Sequence, residues 1–297
     1  MTLEQLRIFV GVAEREHMTA AARALNVTQS AASAAIAALE ERHGIKLFHR
    51  VGRGITLTEA GRLFLAEARG VLARAGAAET VLDELGGLKR GMLRVVASQT
   101  IAAYWLPPIL ANFRQRYPAL GIELAIGNTA QAAARVHDGE ADLGIVEGEV
   151  DDPALAHWPI GEDRLVLVAA EPFGMSRVDV AWLAQARWVQ RELGSGTRST
   201  LDRYLLTLGI DPAALDMALV LPSNEGVRTA VEAGAGIAAL SSLVVAPAIK
   251  AGTLHAGPIT FDARPFYGLR HKERYRAKAA DALLDMIGQE SSGPRCR

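Results

Sequence analysis

The stretch Leu47-Phe48-His49-Arg50-Val51-Gly52-Arg53-Gly54-Ile55-Thr56-Leu57-Thr58 decides how the chain is read. Apolar residues flank a Gly-Arg-Gly tip, the pattern of two short strands closed by a tight turn. Lys46, Arg50 and Arg53 put positive charge on this hairpin, where phosphates attract it. A solvated charged turn would account for the arginines but not for their position after the segments that precede them.

Upstream, Leu3, Leu6, Phe9, Val10 and Ala13 recur at three- and four-residue steps, one face of a first helix. Thr19 is expected to cap a second, short helix over Ala20–Leu25, whose small side chains let another helix approach closely. Asn26 suits the left-handed turn that follows, Val27 packs into it, and Thr28 caps a third helix from about Gln29 to Glu41. On that helix Ala32, Ile36 and Leu39 face a core, while Gln29, Ser30, Ser33 and Ala37 face outward. Short polar groups near a helix N-terminus, with no bulk to hold the helix off, can reach base edges in the major groove. An alanine-rich surface helix has the same look. Followed at once by a basic hairpin, however, the helix pair reads as a winged helix-turn-helix. Its candidate DNA-binding residues are Thr19, Thr28, Gln29, Ser30, Ser33, Arg50 and Arg53.

Downstream, Thr58 can cap a helix with Glu59 in its first turn, favourable at the positive end of the dipole. Phe64, Ala68, Val71, Ala75, Ala78, Leu82 and Leu85 alternate four- and three-residue steps, a heptad seam. No proline interrupts before Gly86-Gly87, and the helix should be roughly 40 Å long. A helix buried in a large core shows the same stripe. Starting at a wing and stopping at two glycines favours a dimerising coiled coil. Two joined recognition helices read two half-sites, so the DNA partner is a near-palindromic promoter site.

Beyond Gly91 the pattern becomes βαβ, the grammar of a parallel sheet. Strands are expected at Met92–Ser98, Ile122–Gly127 and Leu143–Val146, with helices between. A second such unit starts near Arg164 and continues through Trp188-Val189-Gln190, Met217–Leu221 and Ile237–Leu240. Pro265–Arg270 and a final helix through Ile287 return to the first unit. In open α/β sheets ligands sit beyond strand C-termini, against helix N-termini. Ser98-Gln99-Thr100 ends one strand and opens a helix, and Ser195-Gly196-Thr197-Arg198 opens another. Hydroxyls, backbone N–H groups and one guanidinium make a pocket for a small anionic effector. Ordinary N-capping would also explain the hydroxyls, and Arg198 could be a surface ion-pair partner. Asn128 and Glu147 at strand ends, and Asn224, are further candidates.

Several stretches together resemble the LysR-type transcriptional regulators. They are Leu3-Glu4-Gln5-Leu6-Arg7-Ile8-Phe9, Thr19–Leu25, Thr28-Gln29-Ser30-Ala31-Ala32-Ser33, Leu39-Glu40, Gly44, Leu47-Phe48, Arg50 and Leu57-Thr58-Glu59-Ala60-Gly61. The resemblance implies a winged helix-turn-helix at 1–58, a coiled-coil linker at 59–88 and an α/β two-lobed periplasmic-binding-protein-like domain at 91–290. Lobe I then takes 91–161 and 266–290 and lobe II 162–265, with the hinge at Gly161–Arg164 and Phe261–Pro265. It further implies a homodimer or homotetramer, RNA polymerase as a further partner, and no cofactor. Arg191–Arg198 is similar to the branch that includes Calvin-cycle and sulfur-assimilation regulators, which sense phosphorylated metabolites or sulfur oxyanions. Ala34 departs from the pattern, because many relatives carry a basic or long polar residue there.

Composition is compatible with this reading. The 297 residues suit two or three domains, half of them are apolar, and 22% are charged. The net charge of −1 gives no bulk electrostatic sign of a nucleic-acid partner, though a local basic patch can be balanced by an acidic domain. The apolar stretches are too short for a membrane span, the N-terminus lacks a signal-peptide core, and Cys296 is the single cysteine. A cytoplasmic protein without disulfides is expected. Against an enzyme, Gly194-Ser195-Gly196 is not a nucleophile elbow and the seven histidines show no metal spacing. A stand-alone solute-binding protein would match the C-terminal two-thirds but not the N-terminal module.

Overall fold

Thr2 opens the first helix, α1 (Leu3–Arg15), with a capping box: its hydroxyl accepts from the Gln5 amide and the Gln5 side chain accepts from its own. Glu16 then turns left-handed (φ 46°), which ends α1 abruptly. The next residue, His17, is extended and caps α2 (Met18–Ala24) by accepting the Ala20 amide on Nδ1 at 3.2 Å. The cap expected at Thr19 is therefore displaced to His17, and Thr19 lies exposed within the first turn. Asn26 adopts the left-handed conformation (φ 55°). Thr28 caps α3 (Gln29–His43) by accepting from Ala31 N at 3.1 Å, and Gly44 closes it at φ 64°.

Two antiparallel strands follow, β1 (Phe48–Val51) and β2 (Gly54–Leu57), with Val51 opposite Gly54. This computed structural model describes residues 1–51, 54–85, 91–174 and 178–291. The wing tip with Arg53, the Gly86-Gly87 stop and Cys296 lie outside them. Thr58 caps α4 (Glu59–Leu85): its hydroxyl accepts from Gly61 N at 2.9 Å and donates to Lys46 O at 2.7 Å. Gly61 is required here, since a Cβ would stand 2.2 Å from the Leu47 carbonyl oxygen. Phe9 centres the core, its ring 5.5 Å from Phe48 and 4.7 Å from Phe64. The heptad seam is thus divided. Phe64 and Ala68 pack into the winged-helix core, whereas Val71 and Leu82 remain exposed, as does Leu63 beside them. The Leu85 side chain lies outside the described residues.

The chain divides into two compact units, Met1–Leu82 with Asp138–Glu140, and the remainder. The second unit opens with β3 (Met92–Ser98) and one π-helical turn, Ile101–Trp105. Pro107 and Pro108 have no N–H to offer Ala103 and Tyr104, and the Leu106 amide instead bonds back to Ile101 O. Then come α5 (Leu106–Arg116), β4 (Gly121–Gly127), α6 (Thr129–Asp138), β5 (Leu143–Glu147) and a 15-residue strand, β6 (Leu155–Ala169). After these follow α7 (Val180–Gln185), β7 (Arg187–Arg191), α8 (Gly196–Thr207), β8 (Asp216–Leu221), α9 (Asn224–Glu232) and β9 (Ala238–Ser241). Last are α10 (Ser242–Ala251), β10 (His255–Ala256), β11 (Ala263–His271) and α11 (Lys278–Ser291).

One lobe orders its strands β4-β3-β5-β11-β6, parallel among the first three and antiparallel thereafter. Ile109 and Phe113 of α5 and Leu283 and Ile287 of α11 fill one core of this lobe, and Ala132 and Val136 of α6 fill a second. The other lobe places β9 and β10 on the far half of β6, with the parallel pair β7–β8 joined through a Trp188–Ile237 bridge. Here Leu201 and Leu205 of α8 pack in one core, and Val227, Val231 and Val244 in another. The crossings near 161–164 and 261–265 are the paired strands β6 and β11 themselves. Arg164 stands opposite Ala263, and the register slips between Phe266 and Tyr267. β6 begins at Leu155, earlier than the strand expected near Arg164, because its first half pairs with the returning β11.

Candidate functional site

On α3 the inward residues Ala32, Ile36 and Leu39 are buried while Gln29, Ser30, Ala34 and Ala37 are exposed and Ser33 is half-exposed. Gln29 Nε2 donates to Ser33 Oγ at 3.0 Å, so these side chains form one short polar ridge beside the cap. Thr28 and Ser30 hydroxyls lie 3.0 Å apart. Arg50 is exposed on β1 and makes no ion pair among the described residues. Lys46 does not contribute free charge to the hairpin, since its Nζ lies 2.6 Å from Glu40 Oε2.

Glu40 ties the recognition helix to the wing. Its Oε1 accepts from Leu47 N at 2.9 Å and Phe48 N at 3.3 Å. Burial works to raise its carboxyl, but Lys46 and these two amides outweigh it and hold it below the usual carboxylate range. Glu40→Ala strands the two amides, and an unsatisfied buried donor costs about 1–3 kcal/mol. Glu40→Gln should be less stable than wild type at neutral pH, with the gap closing as pH falls through the depressed carboxyl value. This follows because a lowered folded-state pKa adds stability above the unfolded value and loses it on acidification. Thermal unfolding of the full chain at neutral and acid pH measures both effects.

In the second unit, Val95 pairs with Leu143 and Ala97 with Ile145, a register that brings Glu147 level with residues 98–100. Ser98 Oγ donates to Glu147 Oε2, and Thr100 Oγ1 donates to Oε1 at 3.1 Å. Asn224 Nδ2, at the start of α9, donates to Thr100 Oγ1 at 3.0 Å. Thr197, in the first turn of α8, accepts from Arg264 Nη1 at 3.3 Å. Ser98, Thr100, Glu147 and Asn224 are therefore gathered into one buried hydrogen-bonded network, and Thr197 is buried against Arg264, whose charge acts on Glu147. Ser195 is buried at the head of α8 and makes no side-chain capping bond. That leaves the first amides of α8 uncapped by their own N-cap, the arrangement that favours an anion.

Three expected residues are committed elsewhere. The Gln99 amide clamps the lobes, donating to Pro222 O at 2.8 Å and accepting from Asn224 N at 2.9 Å. Asn128 donates to Glu192 Oε1 at 3.1 Å. Arg198 spans Asp202 Oδ2 at 3.4 Å and Arg191 O at 3.2 Å. Sequence reading missed Arg264 and Asp163, which form a two-point buried ion pair at 2.5 and 2.9 Å, and Arg191, which holds Glu192 and Asn224. Burial works against the Arg264 charge, but Asp163 and Glu147 more than offset it and hold the guanidinium above its ordinary range. Burial pushes Glu147 up; Arg264 opposes this and Asp163 adds to it. Among the described residues no cluster of metal-ligand side chains occurs, and no helix is long and apolar enough to cross a membrane.

A capped recognition helix with a β-wing, joined to a two-lobed α/β unit with a buried polar network where the lobes meet, defines a one-chain transcriptional regulator. Comparison with known proteins agrees. Residues 3–62 match the bacterial regulatory helix-turn-helix protein, lysR family, and residues 86–292 match the LysR substrate binding domain. The chain is 36% identical over 289 residues to the "uncharacterized HTH-type transcriptional regulator YeiE" of Escherichia coli (strain K12), covering 96% of each. A "probable RuBisCO transcriptional regulator" of Nostoc sp. (strain PCC 7120) is 32% identical over 301 residues, covering 99% of this chain and 89% of that one. Full-length CbnR complexed with its target DNA superposes with a TM-score of 0.69 at 22% identity, over 98% of this chain and all of that one. The regulatory domain of Synechocystis PCC6803 CcmR, in complex with 2-PG, gives 0.63 at 25% identity over 69% of this chain and 99% of that domain. The chain belongs to the LysR family of transcriptional regulators.

Proposed function

We propose that this regulator reads a near-palindromic promoter site with the Gln29–Ser33 ridge of α3 and responds to a small oxyanion held between the lobes. The observation that carries the DNA reading is the exposed ridge of short polar side chains beside the Thr28 cap. Thr28, Gln29, Ser30 and Ser33 contact bases or adjacent phosphates, Thr19 supports the approach, and Arg50 and Arg53 of the wing contact phosphates. A bulky residue at Ser33 should then abolish sequence preference while sparing nonspecific binding. Arg53→Ala should instead weaken binding to all sequences alike and reduce the salt dependence by about one counterion. Anisotropy titrations over a range of salt measure both, and the reverse pattern would mean that helix and wing have exchanged roles.

The effector reading is supported by the hydroxyls of Ser98, Thr100 and Ser195, the uncapped start of α8 and the Arg264 charge. A relative whose regulatory domain was solved with 2-PG supports an anion of the same kind. Gln99 and Asn128 act as lobe clamps whose bonds exchange when the cleft opens, and Arg198 is released from Asp202 to meet the anion at the start of α8. Dimers form along the exposed apolar face of α4 around Val71 and Leu82, and pairs of dimers form tetramers. The ligand shifts the lobes only by binding one arrangement better than the other, and RNA polymerase is the machinery that senses the result. The chain works in the cytoplasm and catalyses no reaction. Calorimetry with sulfate, phosphate, sulfite, dicarboxylates and 2-PG tests the effector class; a folded sample that binds none of them overturns it.

A further inference from the structure

Ser98 and Thr100 are the hydroxyl donors an incoming anion most needs, and both already serve Glu147. That carboxyl is 1% exposed, and its strand end cannot swing away. Thr129 Oγ1 donates to the Glu147 carbonyl at 2.6 Å, and Gly196 lies so near the same carbonyl that a Cβ there would stand 1.9 Å from its oxygen. The groups acting on the carboxyl are known from each side: Arg264 on β11, Asp163 on β6, Ser98 at the end of β3 and Thr100 just after it, with Asn224 of α9 behind Thr100. We propose that Glu147 is an internal stand-in for the effector, and that the oxyanion enters the cleft together with one proton, which Glu147 takes up. The proposal rests on the oxyanion reading of the cleft and adds what that reading lacks, a rule for which protonation state binds.

The reason lies in donor counting and charge. Each hydroxyl has one proton to give, and an ionised carboxylate has none. While Glu147 is charged it consumes both donors and repels any second anion. Two like charges in contact at a partly dry site cost on the order of a thousandfold in affinity. Once protonated, Glu147 becomes a donor itself, so one hydroxyl is released toward the ligand and the repulsion disappears. The balance is simple: one proton moves from solvent to a Glu147 oxygen, and no covalent bond to the anion forms or breaks. Burial already biases the carboxyl toward its neutral form. A site of this kind prefers oxyanions whose oxygens accept several hydrogen bonds over halides, which are spherical.

The test is calorimetry of the full chain with inorganic sulfate, which does not titrate where the protein is folded, and with 2-PG as a second probe. Titrations run in two buffers of different ionisation enthalpy from about pH 5.5 to about pH 9, for wild type and Glu147→Gln. Wild type should take up about one proton per anion above the pH where free Glu147 ionises, and its affinity should fall about tenfold per pH unit there. Glu147→Gln, neutral at every pH, should bind sulfate without proton uptake and with a flat profile. Binding by wild type that is flat and buffer-independent overturns the proposal alone. So does loss of binding in a Glu147→Gln protein that unfolds at the wild-type temperature. Absence of binding by both proteins with both probes at every pH overturns this proposal, and the same result with phosphate, sulfite and dicarboxylates overturns the oxyanion reading as well.

Discussion

Arg264→Leu should lower the unfolding midpoint of the second unit by roughly 10 °C, the largest loss expected from any single substitution in this chain. Among the described residues Arg264 and Asp163 are the most buried ion pair, with side chains 5% and 2% exposed. Each guanidinium edge is used: Nε and Nη2 bind Asp163, and Nη1 reaches Thr197 on α8. Removing the cation leaves Asp163 without its partner in a buried site next to Glu147, and breaking a buried pair in this way costs about 3–5 kcal/mol. The cost belongs to the uncompensated anion rather than to the pair. The double variant Asp163→Leu/Arg264→Leu should therefore regain much of the loss, since apolar replacement of a whole buried pair is often neutral. A double-mutant cycle by thermal unfolding separates these terms. Equal destabilisation by the single and double variants would show that the packing of Arg264, rather than its charge, is what the site needs.

Gly196→Ala should disable the cleft without replacing any candidate ligand side chain. A Cβ at this position would stand 1.9 Å from the Glu147 carbonyl oxygen, 2.7 Å from its carbonyl carbon and 2.6 Å from Thr129 Oγ1. Two of these contacts are backbone at the end of β5, which cannot rotate aside. The added methyl must push the first turn of α8 away from β5, which moves Ser195 and Thr197 away from the end of β5 that carries Glu147. Overpacking of this kind costs about 1–3 kcal/mol or more. The functional loss should be greater than the stability loss, because donors displaced by an ångström no longer converge on one anion. We expect at least a tenfold loss of oxyanion affinity, read by calorimetry, and loss of any anion-dependent change in the DNA footprint. Gly288→Ala is the control: its Cβ meets nothing within 4 Å in the last turn of α11. Alanine there should be stabilising by up to about 1 kcal/mol. Identical anion binding by Gly196→Ala and wild type would mean that the cleft tolerates lobe separation.

The parts of this structure that were legible in the sequence are those fixed by local chemistry. Thr28, Asn26 and the inward trio Ala32, Ile36 and Leu39 stand where capping and the 3.6-residue period put them. Ser98, Thr100 and Thr197 stand buried at a strand end or a helix start, as expected, because a hydroxyl between a strand and a helix is a local pattern. The failures have equally local or plainly non-local causes. Thr19 lost the cap to His17 because Glu16 ends α1 in one left-handed residue, a turn no periodicity signals. The seam on α4 looked uniform, yet Phe64 and Ala68 are drawn into the core by Phe9, a tertiary choice that a heptad count does not contain. Helix α10 was not anticipated, with Pro247 inside it as a breaker. Asp163 and Arg264 lie 101 residues apart and meet only through the antiparallel register of β6 and β11. Nothing near either residue announces the other.

The account stands or falls on what α3 reads, and selection from a randomised duplex pool tests that most directly. The full-length protein is incubated with the pool at fixed salt, and bound DNA is sequenced over successive rounds, beside a Ser33→Trp variant. The account predicts that wild type enriches one interrupted near-palindrome whose half-sites lie on one face of the duplex, and that Ser33→Trp retains salt-dependent binding but enriches nothing. Enrichment of the same motif by both proteins, or of none by wild type, would contradict it.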